Sequence, residues 1–229
     1  MNYNFIGEGR KSCAIKFENE DYVSKIGETW KIMEEYENIK LLPHNQDFLG
    51  IKNPDLVIFK RITDEERKIY NRVCIKYKEE KQITHNTKLS KLMIPLINGE
   101  TIESIFESYV HISRNTWYNL LELMIDLNDK ILNFNDTYGL NHYDLNLGNI
   151  ILTEDNNLIV IDFGTLGNDG NKKHLCDRKK MILNLRSLIM FGINKNEKIK
   201  KKLINNGIIN NNIIIIKDSK LYENMKNLF

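Results

Sequence analysis

The chain has 229 residues, 41% hydrophobic and 28% charged, a make-up that suits a folded globular protein and excludes a disordered or collagen-like one. With 33 basic against 31 acidic side chains the formal charge is only +2, so no global field draws the chain to nucleic acid and any basic partner surface is local. This length suits one domain or two small lobes, not several independent domains.

Three β-like runs open the chain, at 4–6, 12–17 and 21–26, and the turn residues between them predict a small antiparallel meander. From Glu28 the apolar period becomes helical through Trp30, Met33, Tyr36 or Glu37, and Leu41, ending before Pro43. Residues 56–59 and 92–96 read as buried strands on either side of a highly charged surface helix at 63–81. Between 117 and 133, Leu120, Leu121, Met124, Ile125, Leu127, Ile131 and Leu132 form the broad apolar face of a core helix. Residues 149–152 and 158–161 are β-rich, and Thr153-Glu154-Asp155-Asn156-Asn157 between them has the turn chemistry of a hairpin. A helix is expected over 177–191, followed by an Ile/Asn/Lys-rich tail whose bias suggests no mechanism.

Cys13, Cys74 and Cys176 are far apart and form no C-x-x-C pair, which argues against a disulfide framework and a zinc site and fits a reducing compartment. The opening MNYNFIGEGRKS has glycines and charges where a signal peptide needs an apolar run, and no stretch of eighteen apolar residues occurs, so neither a cleaved leader nor a membrane span is expected. Lys172, Lys173, Arg178, Lys179 and Lys180, with Lys198, Lys200, Lys201 and Lys202, make a locally basic region. It suits an acidic peptide or an anionic membrane surface, and equally a solvated face.

The chemistry concentrates in His142-Tyr143-Asp144-Leu145-Asn146-Leu147-Gly148-Asn149 and, after the hairpin, Asp162-Phe163-Gly164. An Asp and an Asn five residues apart, with a second Asp at the end of a hairpin that returns the chain, can converge on one magnesium-phosphate centre. Phosphoryl transfer asks for little else: a positioned acceptor hydroxyl and neutralised phosphate charge. Hard cations take oxygen ligands, which Asp162 and the Asn149 amide supply. Gly7-Glu8-Gly9-Arg10-Lys11-Ser12, between two strand-like runs, would let backbone approach phosphate closely, though a plain hairpin turn has the same composition. It lacks the glycine before lysine, and the following helix, of a Walker A loop.

H-x-D-x-x-x-x-N followed by D-F-G resembles the catalytic and metal-binding loops of protein kinases and related phosphotransferases. The resemblance implies that Asp144 orients or deprotonates the attacking hydroxyl, that Asn149 and Asp162 hold Mg²⁺, and that His142 braces the loop. It implies further that Gly7, Gly9 and Ser12 belong to a glycine-rich loop over ATP, with the phosphate-anchoring lysine on the third strand. Lys25 in Tyr22-Val23-Ser24-Lys25 falls there; Lys16 in Ala14-Ile15-Lys16 imitates the lysine motif but falls on the second strand. The partner carboxylate on the next helix is Glu35, since Ile39 and Leu42 follow four and seven residues on, with Glu34 and Glu37 as alternatives. Met93-Ile94-Pro95-Leu96-Ile97-Asn98-Gly99 resembles an adenine-binding hinge, with Pro95, Leu96 and Ile97 as contacts, and equally a buried strand and turn. Asp177 can cap the helix that follows, and the resemblance implies that it supports the catalytic loop; the two roles are compatible.

Departures bear on the substrate. Asn146 stands where eukaryotic protein kinases carry lysine, a feature closer to aminoglycoside- and choline-kinase-like enzymes, and no A-P-E segment follows Gly164. The glycine loop, the Y-V-S-K strand and the I-D-F-G end together are similar to small serine/threonine kinases of large DNA viruses. The implied fold is α+β and two-lobed: an ATP-binding lobe at 1–97 with a small antiparallel sheet and a helix, and a reduced, mainly helical catalytic lobe at 98–229. The implied function is a serine/threonine protein kinase using ATP and Mg²⁺ on a protein substrate, in the cytoplasm, or in host cytoplasm or virion if viral. A small-molecule phosphotransferase and an inactive kinase-like binding module are the alternatives.

Overall fold

Three strands from the first thirty positions and two from later in the chain build one sheet. The computed structural model describes residues 2–8, 12–18, 20–74, 84, 86–167 and 174–228, and the chain divides into two units, Met1–Ile97 with Asp162–Leu166, and Asn98–Ile161 with Gly167–Phe229. The fold class is α+β. In the first unit β1 (Tyr3–Glu8), β2 (Ser12–Phe17), β3 (Tyr22–Glu28), β4 (Ile58–Arg61) and β5 (Leu89–Pro95) form an antiparallel sheet in the order β1-β2-β3-β5-β4. Helix α1 (Thr29–Lys40) follows β3 directly, and α2 (Asp64–Val73) lies between β4 and β5 in sequence.

Cys13, Ile15 and Phe17 alternate inward along β2 and join Ile26, Leu89, and Ile69, Tyr70 and Cys74 of the α2 segment in one buried cluster. Helix α2 starts with a capping box between Thr63 and Glu66. Glu66 also forms a buried ion pair with Lys91, which faces Ile26 across the β3–β5 register. The charged segment is therefore no simple surface helix. It ends at Val73, residues 75–81 fall outside the described chain, and Glu66, Ile69 and Tyr70 are buried. Many charges on three sides of a helix had concealed one inward stripe.

The cysteine reading also needs correction. Cys13 and Cys74, with Cα atoms 6.2 Å apart, form a disulfide, and both are fully buried. Sequence distance carries little weight here, because strand alternation turns Cys13 inward and α2 brings Cys74 to it. On α1 the buried residues are Ile32, Glu35 and Ile39, whereas Trp30 and Leu41 are 63% and 55% exposed. The inward stripe contains a carboxylate, which a search for apolar periodicity passes over. Leu56, expected in a strand, is exposed in the short 3₁₀ turn Pro54–Leu56 before β4.

In the second unit β6 (Gly99–Thr101), β7 (Ile150–Thr153) and β8 (Leu158–Val160) form a small antiparallel sheet. Around it are α3 (Ile102–Ser108), the 25-residue α4 (Arg114–Tyr138) and α5 (His174–Lys195). Ser113 caps α4, and Gly139 in the left-handed region (φ 68°) ends it. Trp117 is buried and donates Nε1–H to the Leu188 carbonyl at 2.9 Å; it covers Gly192, where an added Cβ would lie 2.4 Å from that nitrogen. The biased tail is folded as α6 (Glu197–Asn205), a hairpin of β9 (Ile209–Asn210) and β10 (Ile213–Ile214), and α7 (Asp218–Lys226). Its Ile199, Leu203, Ile209, Leu221 and Met225 are core residues. No helix among the described residues is long and apolar enough to cross a membrane.

Candidate active site

In the first unit, strand alternation puts Lys25 on the sheet face opposite Ile26. Its ammonium meets Glu35 Oε1 at 2.6 Å and Asp162 Oδ1 at 3.0 Å. Lys25 and Glu35 are 9% and 3% exposed, while the Asp162 side chain is 46% exposed. Burial alone would lower the Lys25 pKa, but the charges of Glu35 and then Asp162, with their hydrogen bonds, hold it well above the ordinary lysine value. The cation is therefore permanent across the physiological range. Glu34 and Glu37 are exposed, and Lys16 is half-buried on β2 with no ion pair among the described residues.

Asp162 has φ 62°, and its Oδ1 accepts the Gly164 N–H at 3.4 Å. A Cβ at position 164 would lie 3.4 Å from Asp162 Oδ1 and 3.6 Å from Glu35 Oε2, so the glycine leaves room beside both carboxylates. This pairing also explains why residues 162–166 belong to the first unit instead of following an unbroken division at 97/98.

In the second unit the Asp144 loop is held by amides. Asn146 Nδ2 donates to Asp144 Oδ1 at 3.0 Å, and Asn149 Nδ2 donates to the Asp144 carbonyl at 2.8 Å and to its Oδ2 at 3.4 Å. His142 Nε2–H donates to the Ile161 carbonyl at 2.9 Å, which fixes the loop to the strand β8 end. Asn184 of α5 donates to the Leu145 carbonyl at 3.1 Å. Asp177 is fully buried within the first turn of α5, and its oxygens accept the backbone N–H groups of His142 (2.8 Å) and Tyr143 (2.9 Å) and the Asn135 amide (3.2 Å). Asp177 thus supports the loop. Tyr143 has φ 61°, a conformation that costs a residue with a Cβ about 1–2 kcal/mol, and the Asp177 hydrogen bonds hold it there.

Other expected contacts are placed differently. Pro95 ends β5 opposite Tyr22, and the Leu96 N–H is committed to the Asp21 carbonyl at 2.9 Å; Ile97, the last residue before the second unit, is half-buried with them. Gly7 lies in β1 beside a register shift and would meet nothing within 4 Å if it carried a Cβ. Ser12 is buried opposite Gly27, and Gly9 lies outside the described residues. The sequence reading missed Asn135 and Asn184. Their signal is a poor helix former on an otherwise apolar helix face, which calls for a hydrogen-bonding reason. No family model matches the chain, and no curated protein matches it at a significant level.

Proposed function

We propose that the chain is an ATP-dependent phosphotransferase of the protein-kinase-like class that transfers the γ-phosphate to a serine or threonine hydroxyl of a protein. The observation that carries this is the convergence of Glu35 and Asp162, from segments 127 residues apart, on the buried ammonium of Lys25. Such a cation is poised to hold anionic phosphate oxygens. The five-stranded antiparallel sheet with its helix, and the largely helical second unit, support the fold reading.

In this reading Asp144 accepts the proton of the acceptor hydroxyl, whose oxygen bonds to the γ-phosphorus as the bond to the ADP oxygen breaks. Asn146 and Asn149 hold Asp144 for that task. Among the described residues no cluster of three or more His, Cys, Asp or Glu could hold a metal, whereas magnesium takes only one or two carboxylates and completes its shell with phosphates and water. The half-exposed Asp162 fits that demand, as does the Oδ1 of Asn149, whose Nδ2 is committed to Asp144. Mg²⁺ held by such oxygens would neutralise phosphate charge. A small-molecule acceptor is the second reading, supported by the Asn146 carboxamide on Asp144 where protein kinases carry lysine.

The test is transfer of labelled γ-phosphate from Mg-ATP to generic protein acceptors and to small alcohols, with wild type and Asp144→Asn. Labelled serine or threonine, reduced about 10³-fold in the variant, is the expected result. Label on small molecules alone selects the second reading, and ATP binding without transfer to either overturns both.

A further inference from the structure

Helix α3 follows β6 without a break and packs against the short 3₁₀ turn Leu147–Asn149 that closes the Asp144 loop, all within the second unit. Its start is held in place: Ile102 and Ile105 are buried, and the Thr101 hydroxyl accepts the Ser104 N–H at 3.1 Å. Between these anchors stands Glu103, which is exposed. Its Oε2 lies 2.7 Å from the point that a Cβ on Gly148 would occupy, and Asn146 Oδ1 lies 3.2 Å from the same point. The missing side chain at 148 is what lets the carboxylate come so close to the loop. Asn146 commits its Nδ2 to Asp144 Oδ1, so the atom that it turns toward Glu103 is an acceptor. Among the described residues neither oxygen has a donor. Two acceptors side by side, one of them charged, are matched by a group that brings several N–H donors and a positive charge.

We propose that Glu103 and the Asn146 carboxamide form a subsite for a cationic side chain of the acceptor, which makes the acceptor a serine or threonine peptide with an arginine close to the hydroxyl; that a hydroxyl is phosphorylated beside it rests on the phosphotransfer reading. Arginine suits the pair better than lysine, because its planar fork meets two oxygens at once. Glu103 touches the cation and not the reacting atoms, so it sets specificity and moves no proton. One carboxamide separates this subsite from Asp144, so the cation belongs to a residue near the hydroxyl in sequence. A lysine at position 146 would put a like charge there and repel such a group. Asn146 therefore serves two neighbours, steadying Asp144 with its nitrogen and receiving the acceptor with its oxygen.

The test uses the full chain and short peptides of one serine among alanines, either plain or with a single arginine at each position in turn, read by phosphate transfer from Mg-ATP and by peptide binding. The best arginine peptide should exceed the plain one about tenfold in kcat/KM at low salt, and the advantage should shrink in about 0.5 M salt. Glu103→Gln should remove most of that ratio, and Glu103→Arg should favour the glutamate counterpart of the same peptide. Equal rates for arginine and plain peptides, or a ratio that Glu103→Gln leaves intact, would overturn the subsite. Label on 3-aminopropan-1-ol in preference to propan-1-ol, with no peptide labelled, would overturn the peptide occupant and keep the cation. If nothing is labelled but arginine-dependent binding is still lost in Glu103→Gln, the phosphotransfer reading fails and the subsite stands; with neither transfer nor such binding, both fall.

Discussion

The Lys25 group and the Asp144 loop hold their functional side chains by opposite means. Around Lys25 the organising element is a single cation, with two carboxylates converging on it from α1 and from residue 162. Around Asp144 it is a web of amide donors, with the carboxylate of Asp177 receiving two backbone N–H groups and one side-chain amide. The first arrangement is sensitive to removal of its cation, because two carboxylates then lose the charge they share. The second distributes its load, so a single lost acceptor exposes several weaker deficits.

The largest effect should come from Lys25→Met, which removes the ammonium that both Glu35, 3% exposed, and Asp162 meet, and should cost about 3–5 kcal/mol in chemical denaturation. Adding Glu35→Leu should restore most of that stability; failure of the rescue would show that packing, not charge, holds this group. Asp177→Ala leaves three donors unmatched and should cost about 2–3 kcal/mol, with Asp177→Asn in between because it keeps one acceptor oxygen. Equal losses for the two variants would break the amide-web account. Gly192→Ala, which drives a methyl into the Trp117 indole, should cost about 1–3 kcal/mol, with indole fluorescence reporting the displacement.

The smallest effect is on pH dependence. Burial pushes the Glu66 carboxyl up, but hydrogen bonds from Lys91 and Thr63, with the Lys91 charge, hold it below 4.5. A depressed folded pKa means the unfolded chain binds more protons in the acid range. Its stabilisation is present above pH 4.5 and is lost as pH falls through the folded value. Denaturation midpoints between pH 6 and 3 should fall less steeply for Glu66→Gln than for the wild type.

Much of this was legible in sequence. Short strand-like runs separated by turn residues located the first three strands, and the spacing of Ile39 and Leu42 from Glu35 selected the inward carboxylate on α1. The same counting misplaced Trp30 and Leu41, because a helix stripe that contains a glutamate has a gap where apolar residues are sought. The Cys13–Cys74 bond was hidden for a different reason: it depends on how α2 docks, which no local pattern encodes. Asn135, Asn184 and the left-handed Tyr143 act through backbone groups, and composition carries almost no trace of backbone hydrogen bonding. Gly9 and Lys172 and Lys173 lie outside the described residues.

That residues 162–166 complete the first unit has a consequence for synthesis. The Lys25–Glu35 pair can close once the first forty residues have left the ribosome. The second carboxylate arrives 137 residues after the lysine, at about 5–20 residues per second roughly 7–27 s later. During that interval the nascent sheet carries its central cation with only one of its two carboxylates, so the unit that begins first is among the last to be finished.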